Sequence, residues 1–160
     1  LVGSEMCIRD RLMKASFISG NRMAKSNIKP RLRMTTLYYY AQDLGYLVLG
    51  PSNGSEMYLG YSTKYGDSGA DLMPIANILK TDIFKIAKEL GLPEFIINKK
   101  PSAGLWLGQT DEDEMGFTYE VLDAYIRGEK IPEPEIKEKI DKMHKNSEHK
   151  RKLAPRFKLK

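Results

Sequence analysis

The chain has 160 residues, of which 41% are hydrophobic and 29% charged, a balance that excludes a wholly disordered polymer and supplies the apolar mass for a real core. No apolar run approaches the roughly 20 residues that a bilayer span needs. Lysine and arginine number 26 against 21 aspartates and glutamates, a net +5 that suits small anions as well as nucleic acid.

Residues 1–11, LVGSEMCIRDR, have neither a helical nor an alternating apolar period. They resemble translated adaptor sequence and are set apart as a foreign, disordered segment. They also hold the only cysteine, Cys7, which excludes an internal disulfide and a cysteine zinc site and fits a reduced, cytosolic compartment. Asn27 is expected to cap a helix, with Pro30 in its first turn, Gly45 just past its end, and Leu37, Tyr38, Ala41 and Leu44 as its apolar stripe. Tyr46 to Gly50 is a continuous apolar run, the pattern of a buried parallel strand. A turn over Pro51–Gly54 leads into a short helix around Ser55–Tyr61, then a loop from Ser62 to Pro74 rich in glycine and aspartate. Lys80–Leu90 has helical spacing, with Ile83, Ala87 and Leu90 inward and Gly91 as the stop. Lys99–Gly116 is a long polar loop. Thr118 caps a helix ending at Gly128 with Leu122, Tyr125 and Ile126 inward. Pro134 opens a last helix carrying Ile136, Ile140 and Met143. The order of elements predicts part of an α/β parallel sheet; one strand cannot make a sheet, so either further strands lie in this chain, for instance around Phe95–Ile97, or most of the sheet is encoded upstream. The expected division is 1–11, 12–146, and a basic tail over 147–160.

The densest chemistry lies in Gly60-Tyr-Ser-Thr-Lys-Tyr-Gly-Asp-Ser-Gly-Ala-Asp71. Glycines let backbone donors approach a phosphate, Lys64 supplies a point charge, and Asp67 and Asp71 can accept from ribose hydroxyls or an amide. A solvated turn has the same composition. Glu56 sits at the carboxyl end of the expected strand, where ligands of open α/β sheets bind and a carboxylate can hold Mg²⁺ beside a phosphate; a first-turn acid favoured by the helix dipole reads the same way. Lys25, Lys29, Arg31 and Arg33 cluster at a helix start, where a bound anion would offset their cost. Lys80 precedes a helix and can reach a phosphate. From Lys142 onward eight basic residues face one acid, Glu148, and His149-Lys-Arg151 suits a phosphate or carboxylate. His144 and His149 are five apart, the wrong spacing for a metal pair on one helix face.

These strings, together with Asn27–Met34, Gly50–Glu56, Pro101-Ser102, the Gly108–Gly116 loop and Ser147-Glu-His-Lys-Arg151, resemble the ammonia-dependent NAD synthetases over nearly everything after residue 20. The resemblance implies part of an adenine nucleotide α-hydrolase-like (ATP pyrophosphatase) parallel sheet sandwich, a cytoplasmic homodimer, and no nucleic-acid or membrane partner. It implies an ATP-dependent amidation of deamido-NAD through an acyl adenylate attacked by ammonia, with ATP as co-substrate and Mg²⁺ as cofactor. Arg31, Lys64, Asp71, His149 and Lys150 match residues holding deamido-NAD, Lys80 and Ser102 match ATP contacts, and Glu56 matches a magnesium ligand. The family's Ser-Gly-Gly-x-Asp-Ser phosphate loop has no counterpart here. Pro51 stands where a threonine usually meets ATP and offers neither hydroxyl nor N–H, and Gly54 stands where a lysine is common. The chain is therefore expected to be a carboxyl-terminal portion, inactive alone, using ammonia that is free or supplied by another protein. Two alternatives are another amidator of the same fold, such as a GMP synthetase-like enzyme, and a basic nucleic-acid-binding domain, although the tail holds only Phe157 for stacking.

Overall fold

A computed structural model describes residues 4–15 and 21–157. Ten helices follow in chain order: α1 (Ser4–Ala15), α2 (Arg22–Ser26), α3 (Ile28–Leu44), α4 (Gly54–Leu59), α5 (Lys80–Glu89), α6 (Glu94–Ile97), α7 (Asp111–Met115), α8 (Tyr119–Ile126), α9 (Pro134–Asn146) and α10 (Glu148–Arg151). The chain divides into two compact units. The first comprises residues 1–52, 62–74 and 100–114, the second 53–61, 75–99 and 115–160.

In the first unit α3 has the expected length and stops at Gly45, whose φ of 66° is the left-handed conformation that glycine takes without strain. Its start differs. Asn21 caps an additional short helix, α2, by accepting from the Ala24 amide at 2.8 Å. Asn27 makes no capping bond, and its side chain instead accepts from Thr63 Oγ1 at 2.7 Å. The segment expected to be disordered is helical from Ser4, with its first three residues outside the described set. Straight-chain residues such as Arg9, Arg11, Met13 and Lys14 favour that conformation, and Ile8 and Leu12 stay about half exposed.

The expected strand is present only as extended chain. Among the described residues, one parallel bridge joins Leu49 to Leu72. Val48, Gly50 and Ser52 are buried, while Leu47 (76% exposed) and Leu49 (62%) point to the open side; Tyr46 (69%), in register with Val48, is exposed at the start of the segment. Period-two burial of this kind marks a strand covered on one face. The parallel sheet is therefore not seen, because the pairing and the second cover that such a strand needs are not supplied by the described residues. A groove of about 310 Å³ lies between α3 and this segment, lined by Leu37, Tyr40, Ala41, Leu44 and residues 46–49.

The second unit has a dry core. Leu59, Met115, Phe117, Tyr119, Leu122 and Ile140 are each 6% exposed or less. The helical spacing of α8 and α9 points Tyr119, Leu122 and Ile140 inward, with Ile136 and Met143 packed against the cluster. Thr118 caps α8 by accepting from the Val121 amide at 3.4 Å, and Pro134 occupies the first turn of α9. Phe95–Ile97, the candidate further strand, forms the single turn α6 with Phe95 exposed. Pro93 sets the φ of that turn's start, and Asn98 Nδ2 donates to Glu94 Oε2 at 2.9 Å, so the turn closes locally.

Candidate functional site

The predicted site residues divide between the units: Arg31, Lys64, Asp71 and Ser102 in the first, Glu56, Lys80, His149 and Lys150 in the second.

In the first unit the loop after Ser62 is held from within. Asp67 accepts the Thr63 amide at 2.8 Å, the Ser68 hydroxyl donates to the Thr63 carbonyl at 2.9 Å, and the Gly66 amide donates to the same carbonyl at 2.9 Å. Asp67, one of two candidate acceptors, is thus a loop brace. Arg31 and Lys64 are brought together, with Arg31 Nε donating to the Lys64 carbonyl at 3.2 Å. The Lys64 ammonium lies 5.3 Å from the centroid of the Tyr65 ring, and Tyr65 adopts a φ of 59°. Gly66 and Gly69 serve close approach: a Cβ on either would sit about 3 Å from Pro30 or Met34 on α3. Asp71 ties the loop to the extended segment. It accepts the Val48 amide at 2.8 Å and the Tyr38 hydroxyl at 3.1 Å. Burial first, then this hydrogen bond, push the Tyr38 phenol above its ordinary value. Ser102 is exposed and accepts from the Gly104 amide at 3.1 Å.

In the second unit Glu56 has two partners. Its Oε2 accepts the Asn53 amide at 3.2 Å while Asn53 accepts the Glu56 amide at 3.0 Å, a capping box. Its Oε1 pairs with Lys80 Nζ at 3.1 Å, with both side chains under a fifth exposed. The start of α5 is set by two side chains that sequence reasoning missed. Asp123, fully buried, accepts the Thr81 amide at 2.8 Å and the Ser55 hydroxyl at 2.5 Å, and Ser55 Oγ accepts the Lys80 amide at 2.8 Å. A buried carboxylate thus collects donors that α5 leaves unsatisfied at its N-terminus. The signal for Asp123 was its place beside Leu122 within the inward arc of α8. Among the described residues no three His, Cys, Asp or Glu side chains gather as a metal cage. One carboxylate suits Mg²⁺ only in its usual manner, completed by substrate phosphates and water.

Ser147–Arg151, expected in the basic tail, folds onto α4; residues 158–160 lie outside the described set. Lys150 Nζ donates to the Gly60 carbonyl at 2.6 Å. Arg151 donates to the carbonyls of Met57 (3.2 Å), Tyr58 (2.9 Å) and His144 (2.5 Å) and to Ser147 Oγ (2.7 Å). His144 stacks on Tyr58, 4.1 Å between centroids, with Nδ1 2.7 Å from the Tyr58 carbonyl. Cationic groups at the carboxyl end of a helix meet its orphan carbonyls. A Cβ on Gly60 would lie 2.1 Å from Ser147 Cβ, so only glycine admits this approach. His149 is exposed on α10.

The model of a known family, described as NAD synthase, matches residues 5–154. The chain belongs to the NAD synthase family. The chain is 67% identical over 135 residues to the NH(3)-dependent NAD(+) synthetase of Finegoldia magna, covering 84% of this chain and 55% of that protein. It is 53% identical over 133 residues to the NH(3)-dependent NAD(+) synthetase of Carboxydothermus hydrogenoformans, covering 82% and 54%. Among solved structures, NMN synthetase from Francisella tularensis matches with a TM-score of 0.90 at 41% identity, over 95% of this chain and 63% of that one. NH3-dependent NAD synthetase from Campylobacter jejuni, in complex with the nitrate ion, matches with a TM-score of 0.75 at 29% identity, over 96% and 62%. The chain spans about half the length of the curated relatives it matches. These neighbours imply the adenine nucleotide α-hydrolase-like fold for the NAD synthase chain, although its described residues show no more of the sheet than the Leu49–Leu72 bridge. No described helix is long and apolar enough to cross a membrane.

Proposed function

We propose that the protein to which this chain contributes converts deamido-NAD to NAD with ATP and ammonia, as a cytoplasmic homodimer whose parallel sheet continues beyond the Leu49–Leu72 bridge. The observation that carries the reading is the hydrogen bond from Arg31 of α3 to the Lys64 carbonyl, which brings a second cation to the glycine-rich loop that carries Lys64, where an anionic dinucleotide can be held. The relatives are named for NH(3)-dependent NAD(+) synthesis, which supports this reading. A carboxylate is a poor electrophile. Its oxygen attacks the α-phosphorus of ATP, pyrophosphate leaves, and ammonia then adds to the acyl carbon, losing a proton as AMP departs.

In this reading Arg31, Lys64, Asp71, His149 and Lys150 take the family's roles toward deamido-NAD. Lys80 and Ser102 hold ATP. Lys80 is placed by the Ser55–Asp123 brace and paired with Glu56, poised to exchange that carboxylate for a phosphate. Glu56 is the residue that would hold Mg²⁺, which neutralises developing phosphate charge when bound. The chain alone carries only part of this machinery and does not turn over.

The test is formation of NAD from deamido-NAD, ATP, Mg²⁺ and ammonia by the chain completed to the length of its relatives, beside the 160-residue chain. Completed protein that forms no NAD, or turnover by the chain alone, counts against the reading. A second reading rests on the match to an NMN synthetase: nicotinate mononucleotide replaces deamido-NAD. The ratio of kcat/KM for the two acids decides between them.

A further inference from the structure

We propose that Tyr65 is a stacking platform for the flat heteroaromatic ring of an anionic nucleotide. This rests on the reading above and adds a residue that selects the ring rather than the charge.

Tyr65 is the only non-glycine residue with positive φ among the described residues. The left-handed conformation suits glycine, asparagine or aspartate, whereas a bulky aromatic there is strained, and such strain gathers at ligand sites. Burial of the ring does not offset the strain, since Tyr65 is 64% exposed. The loop does not need the ring to keep its shape. The Tyr65 amide donates to Ser68 Oγ at 3.2 Å, and the remaining braces run through Thr63, Gly66, Asp67 and Ser68. Thr63, at the root of the loop, is itself buried and anchored to Asn27. The position is fixed by main-chain bonds, and the strained phenol is held out toward solvent by a loop too braced to relax.

Its neighbours indicate what would cover it. The Lys64 ammonium lies 5.3 Å from the ring centroid, and Arg31 is hydrogen-bonded to the same residue's carbonyl. An aromatic face beside the Lys64 ammonium, on a loop that Arg31 also reaches, fits a planar base or pyridine ring bearing phosphate or carboxylate groups: the ring stacks on Tyr65 while the anions meet Lys64 and Arg31. Charge alone would be served by the two cations without the phenol.

Tyr65→Asn separates the two demands on this position. Asparagine tolerates the left-handed conformation, so thermal denaturation of the 160-residue chain should show a midpoint about 2–4 °C higher than wild type. Calorimetric titration should show affinity for deamido-NAD and for AMP falling about tenfold, as expected for one lost stacking contact. Affinity for inorganic pyrophosphate, which has charge but no ring, should stay within about twofold, and Tyr65→Phe should bind both nucleotides like wild type. Loss of AMP binding in Tyr65→Asn with no preference of wild type for deamido-NAD would keep the platform while counting against the proposed reaction. Unchanged nucleotide affinity in Tyr65→Asn, or no binding of either nucleotide by wild type, overturns the platform. A change in self-association by sedimentation with ligand affinity unmoved also overturns it and makes Tyr65 a contact to a second copy.

Discussion

The second unit closes on itself, whereas the first leaves much of its apolar surface uncovered. In the second, six hydrophobic side chains are dry, Lys80 of α5 is paired with a carboxylate, and Lys150 and Arg151 of α10 donate to the carbonyls at the end of α4. In the first, Ala41 and Val48 are the buried hydrophobics, and Tyr46, Leu47, Leu49 and Leu72 remain largely exposed. The same kind of apolar run therefore has opposite fates. A helix of the second unit finds its cover among the other helices of that unit, whereas the extended segment of the first depends on strands the described residues do not supply. Stability should accordingly reside in the second unit, and ligand-facing groups that are strained or exposed should cluster in the first.

The sharpest test of that contrast compares two leucines. Leu122→Ala removes a fully buried side chain and should cost about 3 kcal/mol in chemical denaturation. Leu47→Ser, on the open face, should cost less than about 0.5 kcal/mol and raise solubility. Equal costs would erase the distinction.

Next in size, Lys64→Ala in the completed enzyme should lower kcat/KM for deamido-NAD by more than about tenfold, the worth of one charge-assisted contact, with an unchanged circular dichroism spectrum. Near-normal turnover would remove the first unit's claim to the substrate. Glu56→Gln should do less. The amide keeps the shape of the capping box but loses the charge that faces Lys80, so the Mg²⁺ concentration giving half-maximal rate should rise a few-fold. An unmoved Mg²⁺ titration would leave Glu56 as brace alone.

The smallest effect is a pH dependence confined to the second unit. Hydrogen bonds from Lys85 and Arg127 hold the Asp82 carboxyl below its ordinary value, and one from Lys137, then one from Tyr125, do the same for Asp141. A lowered folded value means that the contribution is complete above the ordinary value near 3.8 and is lost as pH falls through the lowered one. Paired Asp82→Asn and Asp141→Asn substitutions should therefore flatten the acid limb of a stability–pH curve and leave pH 6–8 unaltered. These groups are solvated, so the change is small.

Much of the second unit was legible in sequence because its signals are local. Thr118, Pro134 and Gly91 mark element ends, and Leu122 and Ile140 repeat at helical spacing into one core. Asn27 misled because an asparagine before a helix ordinarily caps it, whereas this side chain bonds Thr63, 36 residues away. Phe95–Ile97 misled because three apolar residues carry no period by which to tell a turn of helix from a strand. The reach of Arg151 to Met57, 94 residues earlier, had no sequence counterpart at all. Of the candidate site, the Arg31–Lys64 pairing joins two segments that the family resemblance had each singled out. The Ser55–Asp123 brace depends on burial, which the sequence does not display for an aspartate.

The grip of Arg151 on α4 has one further consequence, for proteolysis. Trypsin must draw an arginine side chain into its own acidic pocket, but this guanidinium is engaged with three carbonyls and a hydroxyl. The neighbouring Lys152 reaches only to the exposed Glu148. Cleavage after Lys152 can proceed from the folded chain, whereas cleavage after Arg151 waits for α10 to lift away. Where that opening is fast compared with cutting, the ratio of the two rates measures how often the end of the chain lets go.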